Sequence, residues 1–357
     1  MTAADKLISL LHLKAHQAVV IHRPANTFYL TGGFSGEGVV FLTAARRMII
    51  TDFRYAEQAL RQAPSFEVVL ISRHTGCDQW IARLCRSEEI DTLCYEESCL
   101  SVRAYANLRN VVDEEMAYRP LCGAIERLRQ VKDDWEIDRV RQACAISDRA
   151  FEQVLPLIHE GMTEQALRIE LEHLLLKLGA DSIAFPTMIA SGKNGSMCHA
   201  IPGDQAFRKG DLITMDFGCT VGGYCSDITR TVALGTPGDE LRRVYDAVYE
   251  VQVMCEEAIA PGKRGYEIDR MAREVFDRHG YEGRFGHGLG HSLGIEVHED
   301  PRLHPTSSDI LAPGHVVTVE PGIYLPGVGG VRIENTVLVT ENGREALTKA
   351  PRELIIL

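Results

Sequence analysis

The segment DLITMDFGCTVGGYCSDITRTVAL, residues 211–234, constrains the fold more than any other stretch of the chain. Two strand-like runs flank Gly222 and Gly223, and a Gly-Gly pair in that position is a strong signal for a two-residue hairpin loop. If these glycines form the loop, Asp216 stands opposite Thr229 across the ladder. Asp227, two residues before Thr229, then shares the same sheet face, because strand side chains alternate with period two. The two carboxylates become diagonal neighbours. Like charges at that separation do not both ionise in a poorly solvated site unless a cation lies between them. Taken alone, the pair reads more simply as strand-end acids exposed to water.

Further groups with metal-ligating or acid–base chemistry lie downstream. His287, His291 and His298 fall among Gly286, Gly288, Gly290 and Gly294 in RFGHGLGHSLGIEVHED. The spacing of His287 and His291 imitates a helical H-x-x-x-H metal pair. Glycine at every second position argues instead for extended or looped backbone, so the two need not hold one ion together. The same glycines do not form a dinucleotide loop, since G-x-G-x-G has the wrong spacing and no strand–helix context. Glu320 ends the strand HVVTVE before Pro321 and Gly322, and Glu334 follows in GGVRIENTVLV. Arg332 and Glu334 alternate with Val331 and Ile333 and therefore share a face, where the plain reading is a surface ion pair. Cys219 and Cys225 flank the hairpin turn, but their gap matches no common zinc spacing.

Alternating strand-like and helix-like runs up to about residue 120 predict a compact α/β unit, and the pattern breaks around Tyr118–Pro120. From Asp133 a long amphipathic helix is expected, with Trp135, Ile137, Val140, Ala143, Cys144, Ala150, Phe151, Val154 and Leu155 as its buried stripe. A second helix should follow Thr163 as N-cap, over 164–178, with Gly179 as its stop. Helices are also expected near 239–260 and 266–279, packed on one curved antiparallel sheet. The fold class is α+β, with domains at 1–128 and 129–357.

Composition narrows the function classes. Fifty acidic against 38 basic side chains give a net charge of −12, which disfavours nucleic acid as a partner. No apolar run reaches the 18 or so residues of a membrane span, and the start of the chain, MTAADKLISLLHLKAHQ, lacks signal-peptide character. Ten scattered cysteines without a CxxC pair are expected to be reduced thiols, Cys198 among them as a buried, inert one. A cytoplasmic protein is the expectation.

Asp, Asp, His, Glu, Glu in this order and context resembles the pita-bread metallopeptidases (family M24), which include methionine aminopeptidase, aminopeptidase P and prolidase. The family's metal ligands fall on Asp216, Asp227, His291, Glu320 and Glu334. His291 is the histidine chosen because it lies seven residues before the one in VHED. Its other site residues correspond to His199 in MCHAIP, His287, His298 and Arg332. FYLTGG and ITDFRYAEQA resemble the creatinase/prolidase-like N-terminal domain of the aminopeptidase P and prolidase branch. The resemblance thus implies a C-terminal catalytic pita-bread domain behind a smaller α/β domain, usually in a homodimer. It implies dinuclear metal-dependent hydrolysis of an N-terminal Xaa-Pro bond, in peptides with proline at the second position. In that pattern Asp216 and Glu334 bridge the ions, Asp227 holds one, and His291 with Glu320 holds the other. Glu320 also shuttles a proton, His199 and His298 polarise the carbonyl, His287 orients substrate, and Arg332 steadies the Asp and Glu ligands.

Four carboxylates and a neutral imidazole carry about −4, which balances two divalent ions, and an oxygen-rich donor set suits Mn²⁺, with Co²⁺ or Zn²⁺ as alternatives. An Xaa-Pro aminopeptidase is expected first and a dipeptidase, prolidase, second. A binding module that has lost catalysis, or a metal-free creatinase-like hydrolase, is disfavoured because all five ligand positions are filled.

Overall fold

Gly222 and Gly223 adopt φ of +56° and +81° in the computed structural model, which describes residues 1–357. Positive φ at both positions is what a type I′ hairpin loop requires. The register follows from it: Val221 pairs with Tyr224, Thr220 with Cys225 and Asp216 with Thr229. Between the two ladders the hairpin bends at Gly218, where a Cβ would lie 2.0 Å from the Ser226 carbonyl oxygen. Asp227 sits at this break, immediately before the second ladder resumes.

The chain divides into two compact units, Met1–Arg129 and Gln130–Leu357. The first contains α1 (Ala3–Leu10), β1 (Gln17–Ile21), α2 (Pro24–Thr31), β2 (Val39–Thr43), β3 (Arg47–Thr51) and α3 (Phe53–Gln62). It continues through β4 (Glu67–Leu70), α4 (Cys77–Ser87), β5 (Thr92–Tyr95), α5 (Val102–Val112) and β6 (Ala117–Pro120) into α6 (Ala124–Gln130). Its mixed six-stranded sheet runs β4-β3-β2-β1-β5-β6, antiparallel in the middle and parallel towards both edges. Phe41, Met48 and Ile50 of the sheet pack on Ile81, Leu84 and Leu108 of α4 and α5.

The second unit opens with α7 (Asp134–Val154) and α8 (Glu164–Lys177). Asp133 and Glu136 form a capping box on α7, and Thr163 caps α8 through its hydroxyl. Gly179, at φ +105°, follows α8. Then come β7 (Ser182–Ile183), β8 (Met188–Ser191), β9 (Leu212–Phe217), β10 (Cys219–Val221), β11 (Tyr224–Cys225) and β12 (Ile228–Ala233). Helices α9 (Asp239–Ala258) and α10 (Gly265–Arg278) precede β13 (Gly290–Ser292), β14 (Glu299–Leu303), β15 (Val316–Val319), β16 (Gly322–Leu325), β17 (Gly329–Arg332), β18 (Asn335–Thr340) and β19 (Gly343–Ala346). The curved antiparallel layer expected is present, divided by hydrogen bonding into four pieces, including β12-β9-β8 and β14-β13-β15-β18-β19. The Gly218 break and a bulge between His291 and Ser292 are two of the interruptions.

Strand alternation decides what faces the helices. Ile213, Met215 and Phe217 of β9, with Ile228 and Val232 of β12, bury against Phe151, Val154, Leu167 and Leu171 of α7 and α8. Val317, Val319, Val337 and Val339 bury against Val248, Val251, Ile268 and Phe276 of α9 and α10. Each such side chain contributes roughly 1.5–3 kcal/mol by leaving water. The alternate positions, Asp216, Thr229, Thr318 and Thr336 among them, therefore point away from the helices.

Two expectations fail locally. Trp135 is 49% exposed. It stands on the first turn of α7, edge-on to Tyr224 at 5.6 Å between ring centroids, with the Arg139 guanidinium over its face, so it lies beside the hairpin and not in the core. Leu155 is only partly buried, because α7 ends at Val154 and the chain turns there into a short 3₁₀ segment. None of the ten cysteines forms a disulfide. No helix is long and apolar enough to cross a membrane.

Candidate metal centre

Asp216 on β9, Asp227 before β12, His291 on β13, Glu320 after β15 and Glu334 between β17 and β18 line one cavity of about 270 Å³. His199, His287, His298 and Arg332 line the same cavity, so the structure brings every site position expected from the sequence to one place. Ligand atoms of Asp227, His291 and Glu334 lie within 4.8 Å of one another, and His291 Nε2 is 3.3 Å from Glu320 Oε1 and 3.7 Å from Asp227 Oδ2.

Local backbone explains these placements. β13 approaches β15 so closely that a Cβ on Gly290 would lie 2.1 Å from the Thr318 carbonyl oxygen. The adjacent bulge re-aims the strand at His291, as bulges do. His291 Nδ1 is 3.1 Å from the Ser292 carbonyl oxygen, which only accepts, so Nδ1 carries a proton. Nε2 is the nitrogen that faces carboxylate oxygens, a donor to Glu320 while no cation is bound and a lone pair for a cation when one is. Upstream, Arg273 of α10 donates to the carbonyls of Phe285 and His287 at 2.9 and 2.6 Å. Asp269, one turn away, accepts the Leu289 N–H at 3.1 Å. The glycine-rich segment is thereby fixed to a helix.

The electrostatics call for a cation. Asp216 gives Oδ2 to Arg332, but Oδ1 is buried with no hydrogen-bond partner. Leaving such an oxygen unpaired costs roughly 1–3 kcal/mol or more. Burial first, then the Glu334 and Asp216 charges, holds Asp227 well above the ordinary carboxylate range. Burial followed by the Glu320 and Asp216 charges does the same to Glu334, and burial raises Asp216. Glu320 is the exception. Burial opposes its ionisation, yet the hydrogen bond and charge of His291, then His287 and Arg332, pull it down to about 2. A buried imidazole nitrogen, an orphaned carboxylate oxygen and crowded acids fit divalent metal ions, and this oxygen-rich donor set with one imidazole is the chemistry such ions prefer.

A ring of hydroxyl donors surrounds the acids. Thr229 donates to Glu334 Oε2 at 2.7 Å, Thr318 to Glu320 Oε1 at 3.3 Å, and Thr336 to the Asp227 carbonyl at 2.7 Å. Arg332 reaches Asp216 directly and Glu334 only through Thr229, whose hydroxyl accepts from Arg332 Nε at 3.2 Å. Arg332 Nη1 also donates to the Tyr324 hydroxyl at 2.9 Å, and Tyr324 in turn meets His287 Nε2 at 2.9 Å. His287 Nδ1 is held by the Gly288 carbonyl at 2.8 Å, so both ring nitrogens are engaged within the protein. Burial lowers the pKa of His287, and burial and His291 lower that of His298. His298 is only partly covered, packing edge-on to His291 at 4.4 Å between centroids, while His199 sits exposed in a loop.

The sequence did not point to Phe185, Val297, Arg302 or His304 in the cavity wall, nor to Tyr324. It also passed over Lys132, whose buried Nζ lies 3.1 Å from both Ser292 Oγ and Glu299 Oε2. The threonines carried a readable signal, since they alternate with apolar residues in VVTVE and ITRTV. Cys198 is not the buried thiol expected. It is half-buried and lines the cavity, because Arg332 draws its carbonyl to the rim at 3.3 Å. Cys219 and Cys225 do not converge on a ligand. One meets Ser147 and the Ala143 carbonyl, the other the Ile295 carbonyl.

A carboxylate-rich centre of this kind, carried on a curved antiparallel layer that follows a separate α/β unit in the chain, defines a class of metal-dependent hydrolases. Residues 138–341 match metallopeptidase family M24, and residues 4–131 match the creatinase/prolidase N-terminal domain. The chain belongs to metallopeptidase family M24. It is 41% identical over 355 residues, 99% of each chain, to an uncharacterized peptidase of Bacillus subtilis (strain 168), YqhT. The solved Xaa-Pro dipeptidase from Bacillus anthracis is similar at 37% identity, covering 99% of each chain, with a TM-score of 0.94. An X-Pro aminopeptidase from Thermotoga maritima MSB8 is similar at 34% identity, again over 99% of each chain, with a TM-score of 0.90.

Proposed function

We propose that this chain hydrolyses the bond preceding proline in short Xaa-Pro peptides, with two divalent ions, Mn²⁺ best suited, held by Asp216, Asp227, His291, Glu320 and Glu334. The convergence of these five side chains in one cavity carries the reading. When bound, the ions supply Lewis acidity and a water acidified towards neutrality. Glu320, ionised at working pH, takes the proton of the attacking water and passes it to the proline nitrogen as the bond breaks. His298 and His199, free of the engagements that occupy His287, donate to the developing oxyanion. His287 acts through Tyr324 and Arg332, steadying Asp216. Ten cysteines without a disulfide suit a reducing, cytoplasmic compartment, and the family resemblance suggests a homodimer.

Between dipeptidase and aminopeptidase, Arg302 favours the first. Arg302 lines the cavity, with its side chain half-exposed and its Nε held by Asp300 at 3.2 Å. In an Xaa-Pro dipeptide the proline carboxylate lies within one residue of the scissile bond, and arginine pairs with carboxylates by charge-assisted hydrogen bonds. The aminopeptidase expected first from the sequence stands as the second reading, supported by the T. maritima relative. Hydrolysis of Ala-Pro, Ala-Pro-Ala and Ala-Ala by Mn²⁺-loaded and chelator-treated protein tests both. Metal-dependent cleavage of Ala-Pro ahead of Ala-Pro-Ala is expected. Cleavage of neither proline peptide, or equal cleavage of Ala-Ala, would overturn the proposal.

A further inference from the structure

Glu164 is a fully buried carboxylate outside the metal centre. Its Oε1 accepts from the Ser191 N–H at 2.8 Å, the Ser191 hydroxyl at 2.9 Å and Asn194 Nδ2 at 3.1 Å. Its Oε2 accepts from Asn194 Nδ2 at 3.2 Å and the Gly203 N–H at 3.3 Å. A buried carboxylate can be satisfied this way because charge-assisted bonds to several donors replace its lost hydration. Its place in the first turn of α8 adds the favourable end of the helix dipole.

The partners form a pattern. Ser191 ends β8 and Gly203 closes the following loop, so one side chain grips both limbs of the segment that carries His199. The returning limb is also zipped to the start of α8: the Glu164 N–H donates to Gln205 O, Gln165 to Gly203 O, and Phe207 to Met162 O. Inside the loop, Gly195 abuts Gly330 of β17, where a Cβ on Gly330 would lie 2.1 Å from the Gly195 carbonyl oxygen. The tip has little packing of its own. From Met197 to Ile201 only Ala200 is buried, and Ile201 is 90% exposed. Beside His199 the tip is held only by Ala200, packed on Met188 and Ala190, and by the Cys198 carbonyl on Arg332, so the course of the loop is set mainly by the polar bonds at its base.

We infer that Glu164 is a positioning residue for His199: by clamping Ser191, Asn194 and Gly203 it fixes the loop that presents this imidazole to the substrate. The inference rests on the proposed Xaa-Pro peptidase reading for its kinetic part only. Glu164→Gln keeps the shape but turns an amide NH₂ towards a cluster of donors, which loosens the loop. A misplacement of about 1 Å costs up to about 100-fold in rate.

The test is a double-mutant cycle of Glu164→Gln and His199→Ala on Mn²⁺-loaded protein with Ala-Pro, paired with hydrogen exchange and metal analysis. The expected result is a 10- to 100-fold lower kcat/KM in Glu164→Gln, on the order set by loop misplacement, with metal content unchanged. In the His199→Ala background the same change should cost no more than about 2-fold, since both substitutions remove one contribution. Amides of residues 192–203 should exchange faster in Glu164→Gln while β9 and β12 do not. Losses that multiply in the double variant, or wild-type exchange in this loop, overturn the inference. Should Glu164→Gln fail to fold, Asn194→Ala takes its place in the cycle. It is expected to show a smaller loss that also vanishes without His199, and a wild-type rate overturns the inference. If wild-type protein cleaves no proline peptide, the proposed function fails and hydrogen exchange alone decides the clamp.

Discussion

The Thr229 hydroxyl donates to Glu334 Oε2 across 2.7 Å, two residues along the chain from Asp227. The same hydroxyl accepts from Arg332, so a single neutral atom links the guanidinium to a carboxylate it does not touch. Thr229→Val keeps the volume and suits a strand but removes this link. We expect metal affinity to fall roughly 10- to 100-fold, the usual loss when a partner that orients a ligand is removed. Competition with a fluorescent chelator measures it, and unchanged affinity would show that Glu334 is oriented by other groups.

Lys132 and Glu299 are paired with side chains only 1% and 7% exposed. A carboxylate robbed of such a partner keeps its desolvation penalty, and breaking a buried pair typically costs about 3–5 kcal/mol. Lys132→Met should lower the urea midpoint accordingly, and adding Glu299→Gln should recover part of the loss. Since Lys132 also donates to Ser292, next to His291, metal affinity should fall with it.

His315 gives the acid side of the stability curve a definite sign. Burial, with the Lys132 charge second, pushes it down from 6.5 to about 4. Between these pH values the unfolded chain binds a proton that the folded chain refuses, so stability drops as pH falls from 6.5 towards 4. The slope from this group is at most about 1.4 kcal/mol per pH unit. Urea midpoints measured from pH 4.5 to 7 should flatten in His315→Gln, and an unaltered slope would remove His315 from the account.

Metal loading should stabilise the fold through the orphaned Asp216 Oδ1 and its neighbours. At a free ion concentration of about 100 Kd the gain is about 2.7 kcal/mol. Thermal unfolding should therefore rise on adding Mn²⁺ to chelator-treated protein. In Asp227→Asn, where one ligand charge is gone, the rise should shrink. An equal rise in both proteins would place the binding elsewhere.

What was legible in the sequence was legible for local reasons. A Gly-Gly loop sets the hairpin register, and the register alone places Asp216 opposite Thr229. Helices α8, α9 and α10 could be read from periodicity and caps because their stripes pack along their whole length. Trp135 misled because a stripe says nothing about where a helix overhangs its sheet. Tyr324, Lys132 and Arg302 were silent, since each owes its role to partners brought close by tertiary folding, 167 residues apart for Lys132 and Glu299. Arg332 was assigned to the Asp and Glu ligands by resemblance, but only the structure separates its direct bond to Asp216 from its indirect hold on Glu334.

If the cavity prefers dipeptides as proposed, Arg302 is the side chain expected to set that preference. Its side chain is half-exposed, so it lies at the wall and not among the buried acids, and its partner Asp300 is as exposed as it is. Such a pair opens readily, since exposed ion pairs are worth no more than about 1 kcal/mol. A hydrogen bond to a charged group is worth about 1.5–3 kcal/mol, so Arg302→Met should lower kcat/KM for Ala-Pro by roughly 10- to 150-fold. For Ala-Pro-Ala, whose proline carbonyl is an uncharged amide, the loss should stay within about 3-fold, because no charge-assisted bond is forfeited there. The loss for Ala-Pro should appear in KM more than in kcat, as expected of an interaction present in ground and transition states alike. Equal losses for both peptides would return the preference to the aminopeptidase reading.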